Sequence, residues 1–330
     1  MYKLMARRIL ATVVTLFLIS VVAFILIQLP PGDFVDSYAS HKTQGGVIIT
    51  TDELKAMRSR LGLDRPAYIQ YLKWIGGVLQ GDLGFSWEYR RPVIDIIGER
   101  LPLTLILAFS TLVFTYLVAV PVGIYSGVRQ YSLGDNLATV IGYVGLALPQ
   151  FLFALILMFL AHKFFGASVG GLFSPEFEDA AWSWARFMDM LAHLWIPVVV
   201  LGATGTCFQM RTMRATLLDE LNKMYVTSAR AGGLPEFRML IKYPVRMALN
   251  PIVATLGWEL TNIISGAPIV GVVLSLPDTG PLFLNALLNQ DMYLAGAMIL
   301  IYCTLVVMGT FLSDILLMFL DPRIRLEGRS

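Results

Sequence analysis

Long apolar runs are the feature that most constrains this chain. Residues 9–29 and 103–128 contain no charged side chain at all, and about 20 helical residues are enough to cross the hydrocarbon core of a bilayer. Only 15% of the residues are charged, compared with about 25% in soluble domains. The sequence therefore predicts an all-α, polytopic membrane protein.

Six membrane spans are predicted from these runs, and proline, glycine or charged residues interrupt the chain between them. They cover about Ile9–Leu29, Leu103–Val128, Leu137–His162, Leu191–Met210, Pro251–Leu274 and Tyr293–Leu320.

The charges between the spans predict how the chain is oriented. Segment 211–246 carries seven cations and three acids, whereas loop 275–292 carries two acids and no cation. Loop 163–190 holds two cations and four acids, and both chain ends are basic. Because short cytoplasmic loops are enriched in Lys and Arg, both termini are expected in the cytoplasm.

The longest loop, 30–102, holds nine cations and nine acids, so it does not contribute to this argument. In "TDELKAMRSRLGL", Thr51 or Asp52 is a plausible helix cap. A second helix is predicted from residues at helical spacing: Tyr68, Tyr71, Leu72, Ile75 and Leu79. We expect a small folded helical cap outside the membrane rather than a disordered linker.

Several other classes of protein are excluded. The two cysteines, Cys207 and Cys303, offer no disulfide framework and no metal-ligand spacing. The three histidines, His41, His162 and His193, are dispersed, so no metal site is expected. A net charge of +2 excludes a strongly basic surface for nucleic acid.

The segment "YVTSARAGGLP" combines small residues with a strong helix stop. A helix over Leu217–Ala231 is expected to end at Gly232 and Gly233, because glycine adopts left-handed conformations and Pro235 prevents continuation. Arg230 would suit the negative end of that helix. The face around Ser228, Ala229 and Ala231 has little relief. Spacing alone leaves two interpretations open: an ordinary interfacial helix, or a surface that another protein approaches closely.

This segment resembles the cytoplasmic signature of inner-membrane permease subunits of binding-protein-dependent ABC importers, of the peptide/nickel type. Gly233 occupies the glycine position of that signature and Ala229 its second alanine. Thr227 stands where the general motif has Glu, and Ser228 where it has the first Ala. "SARAGGL" is similar to the form "TARAKGL" that is common in the peptide subfamily.

Further blocks resemble that family in the same order along the chain. They are "RRIL…PGD", "LGLDRPAYIQYL", "GDLGFSWEYRRPV" and the terminal "DPRIR". One block departs from it: after the fifth span the family has a stretch near "E-x-x-F-x-x-PGLG", and this chain reads "GVVLSLPDTGPLF".

The resemblance implies a type I ABC importer permease fold in a bacterial inner membrane. Its layout would be a cytoplasmic flank and first span at 1–30, an extracytoplasmic cap at 31–101, a permease core at 102–320 and a cytoplasmic tail at 321–330. Within the core, a coupling helix at about 222–235 would contact an ATPase. Its contact residues would be Thr227, Ser228, Ala229, Arg230, Ala231, Gly232, Gly233 and Leu234.

The resemblance also implies partners. The chain has no G-x-x-x-x-G-K-[ST] motif, so ATP and Mg²⁺ would be bound by two separate ATPase subunits and this chain would not be an enzyme. A second homologous permease, forming a heterodimer, an extracytoplasmic binding protein and membrane lipid would complete the assembly. The expected cargo is a peptide or a related small solute, and "LPDTGPL" keeps a sugar-linked compound open.

Ionisable residues inside predicted spans are costly and therefore informative. Glu259, with Asn262 one turn on, is a candidate for the translocation pathway, with a structural hydrogen-bond role as the alternative. Asp314 lies nearer the cytoplasmic end, where pairing with an arginine is expected.

An ion-coupled secondary carrier and a membrane-embedded hydrolase are the alternatives to the importer. An ion-coupled secondary carrier would need no ATPase, but inverted repeats and helices interrupted in matching halves are not evident. A membrane-embedded hydrolase lacks its motifs, since neither H-E-x-x-H nor a nucleophile elbow is present.

Overall fold

The computed structural model describes residues 2–28, 32–44, 50–166, 170–178 and 180–320, and most of these residues are helical. The chain divides into two compact units. One unit comprises residues 6–104 and 278–305, and the other consists mainly of 105–277 and 306–320. Helices α5 and α14 contribute residues to both units.

The first unit begins with four helices: α1 (Tyr2–Gln28), α2 (Phe34–Gln44), α3 (Thr51–Leu61) and α4 (Ala67–Leu79). A two-residue hairpin follows, in which β1 (Phe85–Ser86) pairs antiparallel with β2 (Arg91–Pro92). Helix α5 (Val93–Val128) starts directly after it. The long loop is therefore largely helical along its described residues.

The cap of α3 lies one residue earlier than expected. The Thr50 side chain accepts a hydrogen bond from the Glu53 backbone, and the Glu53 carboxylate accepts one from the Thr50 backbone at 2.9 Å. This reciprocal capping box makes Thr50 the N-cap, so the prediction of Thr51 or Asp52 was wrong. Gly62 ends the helix in the left-handed conformation.

Helix α4 forms where helical spacing predicted it. Its buried residue is Trp74, which stacks near Phe24 of α1 with 6.1 Å between ring centroids. Tyr71 also packs edge-on against Phe24 and lies 2.9 Å from the Ser20 hydroxyl. Tyr68, Leu72 and Leu79 are exposed, so aromatic contacts rather than the whole predicted stripe hold α4 against α1.

The start of α5 packs against two later helices, α13 (Thr279–Leu288) and α14 (Met292–Leu320). Their apolar side chains form a buried cluster made of Val93, Ile96, Ile97, Leu282, Ala286, Leu294, Ala295, Ala297 and Met298. Each fully buried aliphatic side chain of this kind contributes roughly 1.5–3 kcal/mol.

The second unit contains a sharply bent helix pair. Helix α6 (Leu133–Ala147) and helix α7 (Gln150–Phe165) meet at a bend of 113°. Leu148 is extended (φ −82°, ψ 126°) because a residue before proline is disfavoured in the helical region, and Pro149 follows it. The third predicted span, Leu137–His162, is therefore not one continuous helix.

Helix α8 (Trp184–Leu221) is the longest element and organises this unit. Arg214 on α8 donates from Nε and Nη2 to the buried Asp135 carboxylate of α6, at 3.1 and 3.0 Å. Such two-pronged guanidinium–carboxylate bonds are strong and directional. They set the contact between α6 and α8.

After α8 the chain forms α9 (Met224–Ala231), α10 (Glu236–Leu240), a π-helical turn (Ile241–Val245), α11 (Arg246–Ala254) and α12 (Leu256–Val273). The fifth predicted span, Pro251–Leu274, is interrupted, because α11 ends before Thr255 and α12 begins after it. Helix α8, the π-helical turn and α11 share a buried apolar cluster: Met213, Leu217, Val245, Ala248 and Ile252.

Four helices in the described part of the chain are long and apolar enough to cross a membrane, and the α6–α7 pair would make a fifth span. The four are α5, α8, α12 and α14. The apolar part of α1, Ile9–Ile25, is shorter. A multi-pass helical membrane protein is confirmed, while the count of six spans remains a prediction.

Candidate functional site

The connection between α8 and α11 holds the candidate coupling helix. Helix α8 ends at Leu221 and α9 begins at Met224, so Asn222 and Lys223 form a corner between them. The expectation of a continuous helix over Leu217–Ala231 was wrong. The corner leaves α9 as a separate short element.

Helix α9 ends abruptly, as the sequence indicated. The Gly232 amide donates to the Ser228 carbonyl at 3.0 Å, and Gly233 is left-handed with φ +77°. Gly232 itself keeps a negative φ of −73°, so only the second glycine supplies the predicted left-handed turn. Pro235 then precedes α10. A β-carbon built on Gly233 would meet no atom within 4 Å, so the space beside this turn is open.

Helix α9 is anchored through one buried side chain. Val226 is fully buried, and Met239 of α10 is fully buried as well. The remaining candidate contact residues face outward or lie half-buried. Exposed are Thr227, Ser228, Arg230, Ala231, Gly232 and Gly233, and half-buried are Ala229 and Leu234. The structure thus gathers all eight on one short helix and its turn.

An ion pair lies near each end of α9. At its start, the Glu220 carboxylate accepts hydrogen bonds from Lys223 Nζ and from the Tyr225 hydroxyl, both at 2.5 Å. Burial, and then the hydrogen bond to Glu220, raise the pKa of Tyr225. At its end, Arg230 Nη2 donates to Glu236 Oε1 at 2.6 Å. The expected helix-end role of Arg230 is therefore joined by a bridge across the turn.

Two large apolar side chains flank this surface, and sequence reasoning missed them. Met224 is 78% exposed and Phe237 is 75% exposed. Both stand in a basic, polar segment outside the predicted spans, and that contrast was the available signal. Exposed apolar groups beside a low-relief helix are typical of a protein contact.

The intramembrane candidates lie elsewhere in the second unit. Glu259 on α12 is 1% exposed, and its carboxylate Oε2 accepts a 3.4 Å hydrogen bond from Gln209 Nε2 on α8. Asn262 is half-buried on the same helix, and Asp314 is half-buried on α14. Roles in a pathway for Glu259 and Asn262, and an arginine partner for Asp314, remain predictions.

The histidines are far apart in sequence and differ in setting. His193 Nδ1 lies 2.8 Å from the Asp189 carbonyl within α8, and His162 is exposed in the last turn of α7. The side chain of His41 lies outside the described residues. No group of three or more His, Cys, Asp or Glu side chains suited to a metal ion occurs in the described part of the chain.

Comparison with known proteins identifies the family of this chain. Residues 119–326 match the family model described as the binding-protein-dependent transport system inner membrane component, and residues 1–108 match the model of its N-terminal part. The chain belongs to this family of inner-membrane transport components. The resemblance seen in the sequence is confirmed, and the importer permease is favoured over the ion-coupled carrier.

Relatives match along nearly the whole chain. A putative peptide permease protein of Brucella ovis is 32% identical over 327 residues, covering 98% of this chain and 99% of the relative. The oligopeptide transport system permease protein AppB of Bacillus subtilis is 32% identical over 320 residues, covering 96% and 98%.

A solved structure supports the fold. A chain of the MetNI methionine ABC transporter, described in inward-facing conformations, superposes with a TM-score of 0.51 at 16% identity. The match covers 69% of this chain and 97% of that one. The present chain thus has the helical fold of a multi-pass ABC transporter permease.

Proposed function

We propose that this permease imports a peptide or a related small solute, delivered by an extracytoplasmic binding protein, and that α9 couples it to an ATPase. The names of the two relatives support the peptide class. The departure at "LPDTGPL" keeps a sugar-linked solute as the alternative cargo.

The assembly proposed here contains two related permeases, as a heterodimer, and two cytoplasmic ATPase subunits that bind ATP and Mg²⁺. Six spans, a type I permease fold, a cap outside the membrane over 31–101 and cytoplasmic termini belong to the same proposal. The basic segment 211–246 and the acidic loop 275–292 support this orientation.

The observation that carries the coupling role is the shape of α9. It is a short helix, anchored through Val226, whose outward face from Thr227 to Gly233 is mostly small. A partner's backbone can approach such a face closely, while Met224 and Phe237 supply apolar contacts at its edges. Because ATP closes an ATPase pair in one state only, a rigid helix held there converts that closure into movement of the permease.

Gly233→Glu tests this role directly. The new side chain enters open space, so we expect normal membrane insertion but loss of ATPase subunits from the purified assembly and loss of uptake. The assay measures ATPase recovered per permease after affinity purification, together with uptake into proteoliposomes.

The backbone strain of Gly233→Glu needs its own control, because φ is +77° there. Gly62 offers a match, since its φ is +73° and no atom lies within 4 Å of a built β-carbon. Gly62→Glu carries similar strain in a different part of the chain, and it should leave ATPase recovery unchanged. Full ATPase recovery and uptake with Gly233→Glu would refute the docking role.

A further inference from the structure

A buried polar cluster joins α8 to α12 within the second unit. It consists of Gly205, Gln209, Thr255 and Glu259, here called the Gln209–Glu259 cluster. Gln209 Nε2 donates to Thr255 Oγ1 at 2.7 Å and to Glu259 Oε2 at 3.4 Å. Gln209 is fully buried and Glu259 nearly so. Polar groups in such surroundings are costly unless they serve a specific contact.

Gly205 makes this contact possible. A β-carbon built on Gly205 would lie 1.7 Å from Glu259 Oε1 and 2.6 Å from its carboxyl carbon. Any side chain at 205 would therefore displace the carboxyl group. The absent side chain lets the Glu259 carboxyl rest against the backbone of α8, beside Gln209 one turn further along.

The cluster lies at the break between α11 and α12. Thr255, the interrupting residue, donates from Oγ1 to the Ile252 carbonyl at 2.8 Å and accepts the bond from Gln209. Helices bend where the regular backbone hydrogen-bond ladder is interrupted. The bonds from Gln209 therefore fix α12 to α8 where α12 would otherwise be least constrained by α11.

Nearer α9, the contact between α8 and α11 is mostly apolar, with one hydrogen bond, from Thr216 Oγ1 to the Ala248 carbonyl at 3.2 Å. Its buried side chains, such as Met213, Leu217 and Ile252, are apolar. Apolar contacts are non-directional and tolerate small sliding of packed helices. The hydrogen bonds of Gln209 and the close packing of Glu259 against Gly205 do not tolerate such sliding, because each requires one register between α8 and α12.

We propose that the Gln209–Glu259 cluster is a positioning contact that makes α12 follow α8 when α9 is moved. The proposal rests on the coupling role of α9 proposed above. Movement of α9 is transmitted to α8 through the corner at Asn222–Lys223. The cluster then transmits it from α8 to α12 at the break at Thr255. Gly205, Gln209 and Glu259 thus serve transport without touching cargo or nucleotide.

A cysteine introduced on α12 reports whether that helix moves when nucleotide binds to the ATPase subunits. Val272 is 50% exposed near the end of α12, so Val272→Cys, with Cys207→Ala and Cys303→Ala, gives a single labelling site. The chain is assembled with its second permease and ATPase subunits, and its reaction with a polar maleimide is measured with and without ATP plus vanadate. We expect a nucleotide-dependent change in labelling rate of about fivefold, the lower end for coupling between distant sites.

Variants of the cluster should abolish that change. Gly205→Ala, Gln209→Ala and Glu259→Ala each disrupt the contact between α8 and the Glu259 carboxyl group, so the labelling rate should become independent of nucleotide. Gly202→Ala is the matched control one turn away on α8, where a built β-carbon meets the movable Phe114 ring at 3.0 Å. It should keep the response.

Two double variants separate positioning from packing. Gly205→Ala with Glu259→Ala restores space and keeps the bond from Gln209 to Thr255, but removes the bond from Gln209 to Glu259. Thermal stability should therefore recover while the labelling response stays absent. Gln209→Glu with Glu259→Gln reverses donor and acceptor between the two positions but removes the donor to Thr255 Oγ1. It should keep the response, because the bond between positions 209 and 259 is retained.

Three outcomes overturn the proposal: a response that returns in the space-restoring pair, a response that persists in Gln209→Ala, and no response in the unsubstituted assembly. ATPase recovery is recorded in every case. A failure of the α9 proposal appears as ATPase recovery that Gly233→Glu leaves intact, whereas a failure of the present one appears only in the labelling.

Discussion

Two connections between membrane helices differ in whether their charged side chains are exposed or buried. In 222–245, between α8 and α11, Arg230 and Glu236 pair on the surface, and each side chain is more than half exposed. In 275–291, between α12 and α14, Asp278 and Asp291 are both completely buried. The first connection contains the segment "SARAGGL", and the second contains "LPDTGPL".

The difference indicates two uses of a connection. Exposed pairs contribute little to folding, so their segment is free to present a surface to a partner. Buried acids affect folding strongly, since each must find donors or lose its charge. We therefore expect substitutions of the buried acids in 275–291 to change stability, and substitutions that alter the low-relief surface of α9 to change assembly.

The largest expected effect on stability is from Asp291→Ala. The Asp291 carboxylate accepts hydrogen bonds from the Ser86 hydroxyl at 2.5 Å and from the Glu88 and Leu294 amides at 3.4 Å. Asp291→Ala leaves these three donors without their acceptor. The substitution also removes the unfavourable burial of a carboxylate, which offsets part of the loss. The free energy of unfolding should fall by about 4 kcal/mol, measured by thermal unfolding in detergent.

Asp291→Asn is the control for this prediction, because its amide oxygen keeps one acceptor in place. Its loss of stability should be clearly smaller than that of Asp291→Ala. An alanine variant as stable as the unsubstituted chain would show that the buried acid does not hold the start of α14.

A smaller effect, with a defined pH dependence, is expected from Asp278→Asn. Asp278 Oδ1 accepts from the Gly280 amide at 3.1 Å, while Oδ2 has no hydrogen-bond partner among the described residues. Burial raises the pKa of Asp278 to about 6, against lowering by the Gly280 amide and by Arg100.

The sign follows from proton linkage. Because the folded pKa exceeds the unfolded value, the protonated acid stabilises the fold below about pH 4, and this contribution is lost as pH rises to about 6. The loss is at most about 3 kcal/mol. Asp278→Asn should therefore gain stability relative to the unsubstituted chain between pH 4 and 6, and keep that gain above. If the stability of Asp278→Asn and that of the unsubstituted chain changed in parallel with pH, the prediction would be wrong.

Part of this architecture could be read from the sequence. The apolar runs predicted a multi-pass helical membrane protein, and the glycine and proline near residue 233 predicted the end of α9, because these signals are local. The bend at Pro149 was also signalled locally, by a proline inside "LALPQF", but the apolar run across it favoured one span. The break at Thr255 has no such signal.

Contacts between distant residues escaped prediction. Gln209 lies 50 residues before Glu259, and no spacing rule relates them. Glu259 attracted interest as a charge inside a span, yet its hydrogen-bond partner is on α8 rather than Asn262 on its own helix. The exposure of Met224 and Phe237 likewise depends on the corner after α8, which helical periodicity did not predict.

The smallest effect on stability is expected from Arg230→Ala. The Arg230–Glu236 bridge is exposed on both sides, and such bridges contribute almost nothing measurable once solvent screening is included. The melting temperature should change by less than about 2 °C. ATPase recovery should also persist, because the docking surface depends on low relief and on Met224 and Phe237 rather than on one charge. Loss of ATPase subunits with Arg230→Ala, but not with Glu236→Ala, would instead assign the contact to this guanidinium.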